Sequence, residues 1–185
     1  MRIISGYFKG KKIIQPTDAL TRPLKDLTKE SIFNIINHSK KINIKLEETN
    51  VLDLFSGVGS FGLECLSRGA KFVTFVEKHE MALNILKKNL VNLKSIHNFK
   101  IIKKDILDDL DFSLLNQKFN IIFLDPPYKE KKLELLLNKI IENNVLDNNG
   151  IIIIHRNKKT VDQFPSQLKI IEQKKYGIAK IIFLA

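Results

Sequence analysis

Two hydrophobic rhythms alternate along the chain from residue 50 onward. Short apolar runs at 51–55, 71–76, 99–103, 119–124 and 150–155 have strand length and few polar interruptions. Between them lie segments of helical period. Residues 60–68 form a helix stopped by Gly69, 80–93 a helix with Met81, Ile85, Leu86 and Leu90 inward, and 131–143 a third. Near-continuous apolar strands alternating with helices predict a parallel sheet covered on both faces. The tail, from about 169 to 184, reads as two further extended runs joined near Tyr176-Gly177, an antiparallel pair at one edge. The expected fold is therefore α/β, Rossmann-like, with a mostly parallel seven-stranded sheet.

The first 46 residues follow a different pattern. Residues 2–14 read as two short extended runs around Gly6 to Gly10, a β-hairpin. Pro16 and Pro23 bracket a loop. Asp26 or Thr28 can cap a helix running to about His38, with Leu27, Ile32, Ile35 and Ile36 on one face. No repeat or Pro/Gly/Ser linker divides the 185 residues, so one domain is expected, with residues 1–46 as an extension of a core at 47–185.

Composition narrows the class. The chain is 44% hydrophobic and 28% charged, within the ordinary range of soluble domains. No apolar run approaches the roughly 20 residues of a membrane-spanning helix. The first ten residues lack the apolar stretch of a signal peptide. Cys65 is the only cysteine and sits in an apolar helical pattern, so it reads as a core residue and the cytoplasm as the expected compartment. The net charge of +11 lies at the two ends: residues 1–46 hold 10 Lys/Arg and 3 acids, and 155–185 hold 7 and 2. The stretch between them holds 14 and 15. Basic segments flanking a near-neutral centre suit a polyanion gripped beside a site, and they equally suit plain solubilising charge.

The first strand runs into DLFSGVGSFG, in which Gly57, Gly59 and Gly62 satisfy G-x-G-x-x-G between a strand and a helix. Glycines there permit a tight turn and close approach of a ligand to the backbone. Glu77 ends the second strand, 15 residues past Gly62, where a carboxylate can accept ribose hydroxyls. The pattern fits a dinucleotide such as NAD or S-adenosylmethionine. Asp53, four residues before the first glycine, would repel a pyrophosphate and suit the ammonium of a methionine moiety. Asp105, after the third strand, can accept from an adenine amino group or act as a loop acid.

The fourth strand ends in Asp125-Pro126-Pro127-Tyr128. Two prolines cannot continue a central strand, and they stiffen the turn at its carboxyl end, where ligands bind in open α/β sheets. An exocyclic base amine is a poor nucleophile because its lone pair is delocalised into the ring. The Asp125 carboxylate and the Pro126 carbonyl can each accept one of its N–H groups, and Tyr128 can stack on the flat base. No metal is needed. His38, His79, His97 and His155 show no ligand spacing, and none is assigned a role.

With these motifs, RIISGYFKGKKI at the start and TRPLKDLTKESIFNII after it, the chain resembles the RsmD family of 16S ribosomal RNA guanine-N2 methyltransferases over nearly its whole length. The resemblance implies a class I methyltransferase fold. It also implies S-adenosylmethionine as methyl donor, S-adenosylhomocysteine as product, and a guanine of 16S rRNA, in the small subunit or an assembly intermediate, as target. By the same likeness Asp53, Gly57 and Gly59 line the methionine end of the cofactor, and Phe55 and Ile106 belong to its binding site. Glu77 holds the ribose, Asp105 the adenine, and Asp125, Pro126 and Tyr128 form the base site. Arg22 and Asp26 match a motif near the RNA, and Lys9, Lys11 and Lys12 can contact phosphates. A monomer is expected. The family commonly reads T-R-P-T-x-D-R-x-R-E where this chain has Leu24, Leu27 and Lys29, which removes guanidinium forks for phosphate.

Three other functions share parts of the pattern. An NAD-dependent oxidoreductase would share the glycine loop but needs a substrate domain downstream. A DNA adenine methyltransferase would share Asp-Pro-Pro-Tyr but normally adds a sizeable recognition region. A non-catalytic RNA-binding module would not need Asp125 and Tyr128 beside a cofactor loop.

Overall fold

The apolar runs form seven strands: β1 (Asn50–Leu54), β2 (Phe72–Glu77), β3 (Phe99–Lys103), β4 (Phe119–Leu124), β5 (Leu146–Asn157), β6 (Ile170–Tyr176) and β7 (Ala179–Leu184). Among the described residues there are four α-helices, one before the first strand and three between strands: α1 (Asp26–His38), α2 (Ser60–Ser67), α3 (Glu80–Asn92) and α4 (Leu133–Glu142). This is a computed structural model that describes residues 1–16, 24–94, 96–108 and 110–185, and of Leu114 only the backbone. Arg22 lies outside the described residues.

The strands make one sheet in the order β3-β2-β1-β4-β5-β7-β6. β1 to β5 are parallel neighbours, whereas β7 runs antiparallel to both β5 and β6. The expected mostly parallel sheet with an antiparallel edge pair is therefore present. Strand order reverses between β1 and β4, so a crevice opens at their carboxyl ends.

Alternation along the strands divides the core. Val51, Phe75, Phe123 and Ile153 face one layer with α1, α2 and α3, while Leu52, Leu54, Leu124 and Ile154 face α4. A stack of rings crosses the first layer. Phe33 of α1 lies 5.4 Å from Phe61 of α2, which lies 4.1 Å from Phe123 of β4. Among the described residues no helix is long and apolar enough to cross a membrane.

The N-terminal segment closes on itself as the predicted hairpin does, with its arms paired only briefly. A single bridge joins Arg2 to Lys12, and the residues between coil through turns. The segment's hydrogen bonding is shared between itself, with Ile3 N–H on the Lys11 carbonyl at 2.9 Å and Ile13 N–H on the Met1 carbonyl at 3.1 Å, and α2. Ile4 and Ser5 donate their N–H groups to Glu64 at 2.8 and 2.9 Å, Tyr7 donates to the Ser67 carbonyl at 2.7 Å, and Phe8 donates to Ser67 Oγ at 3.0 Å. Ile3, Phe8 and Ile13 join the same hydrophobic core as the sheet.

Two helices turn differently from their predicted faces. In α1 the buried residues are Thr28, Lys29, Ile32, Phe33 and Ile36; Ile35 is half-buried and Leu27 is exposed. Lys25 occupies the cap position and makes no side-chain capping bond, so neither Asp26 nor Thr28 caps the helix. The rotation is set by the Lys29 ammonium, which is buried 3.4 Å from Glu64 and donates to the Arg2 carbonyl at 2.6 Å. In α3 Met81 is exposed and Ile85 half-buried, while Ala82, Leu83 and Asn89 turn inward beside Leu86 and Leu90. The Asn89 amide explains this. It accepts from Ile14 N–H at 2.8 Å and donates to the Ile14 and Val58 carbonyls.

Candidate active site

The glycine turn begins where β1 ends. Phe55, Gly57 and Gly59 all have positive φ, at 60°, 55° and 87°, so the chain reverses within five residues before α2 starts. At Gly57 an added Cβ would meet nothing within 4 Å, so the backbone there lies open to a ligand. At Gly59 the same atom would meet a Leu86 methyl at 2.4 Å, so this glycine also serves packing against α3.

Asp53 is 1% exposed, and its Oδ2 accepts the Gly62 N–H at 3.0 Å. Burial pushes its carboxyl well above the usual aspartate range; the Gly62 bond opposes the shift, and the nearby charges of Asp125 and Glu77 add to it. Glu77 is buried as well. Its Oε2 accepts from Gly57 N–H at 2.8 Å, and its Oε1 from Lys78 and His79 N–H at 2.8 and 2.9 Å. These bonds tie the end of β2 to the glycine turn.

Asp125 follows β4 directly, beside β1, with its N–H 3.4 Å from the Leu54 carbonyl. One cleft brings Asp53, Phe55, Gly57 and Asp125 together. Its remaining wall includes Gln15, Pro16 and Leu24, so the N-terminal segment closes the site as well as bracing α2. Leu24, which stands where the related motif has threonine, is buried in this wall.

The predicted site residues divide accordingly. Gly59 caps α2 beneath the cleft, and Pro126 is buried beside Asp125. Tyr128 is half-buried, with its ring edge-on to His155 at 6.3 Å. Asp105 and Ile106, beyond β3, are not among the residues lining the cleft. Asp105 holds Lys78 Nζ at 2.7 Å and accepts from Leu107 N–H, contacts that lower its carboxyl. The Ile106 side chain is buried in the α4 layer.

The basic ends carry less free charge than their composition suggests. Lys29 is the partner of Glu64, and Arg156 and Lys180 are buried around Asp162. Lys11 donates to the Asn92 carbonyl at the end of α3 at 3.1 Å and lies over the Phe8 ring. Lys9 and Lys12 are exposed, and Asp26 accepts from Arg2 N–H at 3.4 Å in the first turn of α1.

Two residues without an assigned role complete the site. His155 Nδ1 lies 2.8 Å from Asp125 Oδ1. Arg156 donates to the carbonyls of Pro127 at 3.1 Å and Glu130 at 2.9 Å, and pairs with Asp162. Consecutive residues on a strand point to opposite faces, so β5 grips the Asp-Pro-Pro-Tyr turn from both sides. The sequence signal was faint: a polar pair directly after four isoleucines, at the same strand end as Asp125.

A family model described as Conserved hypothetical protein 95 matches residues 1–185. Ribosomal RNA small subunit methyltransferase D of Haemophilus influenzae is 34% identical over 179 residues, covering 96% of this chain and 90% of that protein. The Escherichia coli K12 protein of the same name is 32% identical over 157 residues, 83% and 73% of the two chains. Among solved structures, the Escherichia coli protein yhhF superposes with a TM-score of 0.79 at 28% identity, covering 100% of this chain and 96% of that one. A Haemophilus influenzae structure superposes with a TM-score of 0.75 at 32% identity, covering 99% and 96%.

Proposed function

The chain belongs to the Conserved hypothetical protein 95 (RsmD) family of methyltransferases, and from that premise we propose that it methylates the exocyclic 2-amino group of a guanine in 16S ribosomal RNA. One observation carries the reading: the carboxylates of Asp53 and Asp125 face one cleft, with Glu77 tied to its glycine turn.

That charge selects the cofactor. Three carboxylates around the site oppose a pyrophosphate and favour a cationic ligand, and S-adenosylmethionine carries both an ammonium and a sulfonium. Asp53 and Gly57 would hold its methionine end and Glu77 its ribose. Asp105 and Ile106 would hold its adenine, which requires Asp105 to share or release Lys78. When bound, this cofactor supplies an electrophilic methyl carbon whose thioether leaving group needs no proton.

The chain's own residues do the rest. Asp125 and the Pro126 carbonyl accept the two N–H groups of the target amine, which aims the nitrogen and raises its electron density. The Asp125 carboxylate takes the proton that the methylated nitrogen sheds. Tyr128 stacks on the extruded base. Catalysis is then largely a matter of position. Lys9, Lys12 and Asp26, together with Arg22 by the family likeness, engage RNA of the small subunit or an assembly intermediate.

Calorimetry with S-adenosylmethionine and with NAD tests the cofactor. Mass spectrometry of rRNA nucleosides from cells with and without this gene tests the product. Loss of an N2-methylguanine with the gene is expected; an unchanged nucleoside profile would refute the rRNA target. Binding of NAD in preference to S-adenosylmethionine would refute the whole assignment.

A further inference from the structure

We propose that His155 is a positioning residue that fixes the Asp125 carboxylate for the substrate amine. The inference rests on the reading of Asp125 as the amine's acceptor.

Leu124 and Ile154 are register partners on adjacent parallel strands, so residues 125 and 155 leave the sheet side by side. Both continue the face of Phe123 and Ile153, the face of the cleft. The Asp125 side chain is 21% exposed, and that of His155 is 4% exposed. The terminal torsion of an aspartate is broad and nearly two-fold, so a carboxylate at a strand end does not hold its plane unaided. A donor on Oδ1 from a buried ring holds it. Nδ1–H donation to Oδ1 leaves Oδ2 turned to the incoming N–H, and it fixes the imidazole tautomer with the proton on Nδ1.

Packing alone does not account for this histidine. The four isoleucines before it are buried apolar residues, and another would complete the strand at no polar cost. The imidazole instead sits between the carboxylate and the edge of the Tyr128 ring, touching two residues of the base site. On the opposite face Arg156 holds the carbonyls of Pro127 and Glu130. The backbone of the turn and the side chain of Asp125 thus have separate supports, supplied by neighbouring residues of β5.

The test compares H155A, H155L and H155N with wild type. Asn places an amide N–H where Nδ1 stood, whereas Leu fills the space without a donor. H155L and H155A are expected to lose about 10- to 100-fold in kcat, with KM for RNA and calorimetric affinity for S-adenosylmethionine within about two-fold of wild type, the scale set by small misplacements of a catalytic group. H155N recovers most of the rate. Adding H155A to D125A costs nothing further. In the resting protein, nitrogen NMR finds the His155 proton on Nδ1, and D125A abolishes its hydrogen bond. Wild-type kcat in H155L, additive losses in the double variant, or a proton on Nε2 alone would overturn the proposal. A wild-type chain that binds S-adenosylmethionine yet methylates no rRNA would defeat the functional reading and leave the NMR result to decide this one.

Discussion

Glu64 Oε2 accepts the backbone N–H of Ile4 at 2.8 Å, tying the start of the chain to the middle of α2 across 60 residues of sequence. The same carboxylate, fully buried, also takes Ser5 N–H, Arg68 Nε and the ammonium of Lys29. Burial lowers the Lys29 ammonium from its ordinary range, and Glu64 holds it up.

Removing Glu64 strands a buried cation and two backbone donors together. Glu64→Ala is expected to cost about 3–5 kcal/mol, the usual scale for breaking a buried ion pair. Urea denaturation measures it, and a loss below about 1 kcal/mol would mean that the Glu64 tie between the chain's start and α2 is not structural. Because Gln15, Pro16 and Leu24 wall the cleft, the variant should also weaken S-adenosylmethionine binding before it unfolds.

The buried Asp53 carboxylate opposes the fold when it is charged. Its carboxyl is raised by burial, so its stabilising, protonated form prevails at low pH, and that contribution is lost as pH rises from about 4 through the folded-state value. Asp53→Asn keeps an oxygen for the Gly62 N–H and carries no charge. Near neutral pH it should raise the Tm of the ligand-free protein by about 2–4 °C for each kcal/mol recovered. Its advantage should shrink in acid. Affinity for S-adenosylmethionine should fall about 10- to 100-fold, the cost of losing a hydrogen bond to a charged partner. Scanning calorimetry across pH checks the first effect and titration calorimetry the second; unchanged affinity would remove Asp53 from the cofactor site.

Arg156 braces the Asp-Pro-Pro-Tyr turn through a planar fork, so charge alone will not replace it. Arg156→Lys should leave the Pro127 and Glu130 carbonyls short of donors, speed hydrogen exchange at residues 128–131 and lower kcat. Arg156→Met should further destabilise the fold by about 3 kcal/mol through Asp162. Wild-type exchange in the lysine variant would count against the bracing role.

Basic residues near the N-terminus should behave unequally toward RNA. Lys9→Ala and Lys12→Ala should each weaken binding and reduce the slope of log affinity against log salt by nearly one, as single phosphate contacts do. Lys11→Ala should change stability more than that slope, because its ammonium is bonded to the Asn92 carbonyl. Filter binding over a range of salt decides the matter, and equal slopes for all three would contradict this division.

What the sequence determined is what period and local chemistry can encode. The five parallel strands, the turn at Gly57 and Gly59, the carboxylate of Asp53 before it and the stiff corner at Asp125 are each written within a few adjacent residues. Tertiary structure alone decided which way amphipathic faces turned. Helical period marks a stripe, but Leu27 and Met81 lost their inward places to Lys29 and Asn89, whose partners lie far along the chain. It also decided that the first residues bond to α2 as well as to each other, because Glu64 and Ser67 offer buried acceptors that a short hairpin lacks. The pairing of His155 with Asp125 belongs here too. Thirty residues separate the two, and only the register of β4 on β5 brings them together, since strand pairing is a property of two segments and neither one records it.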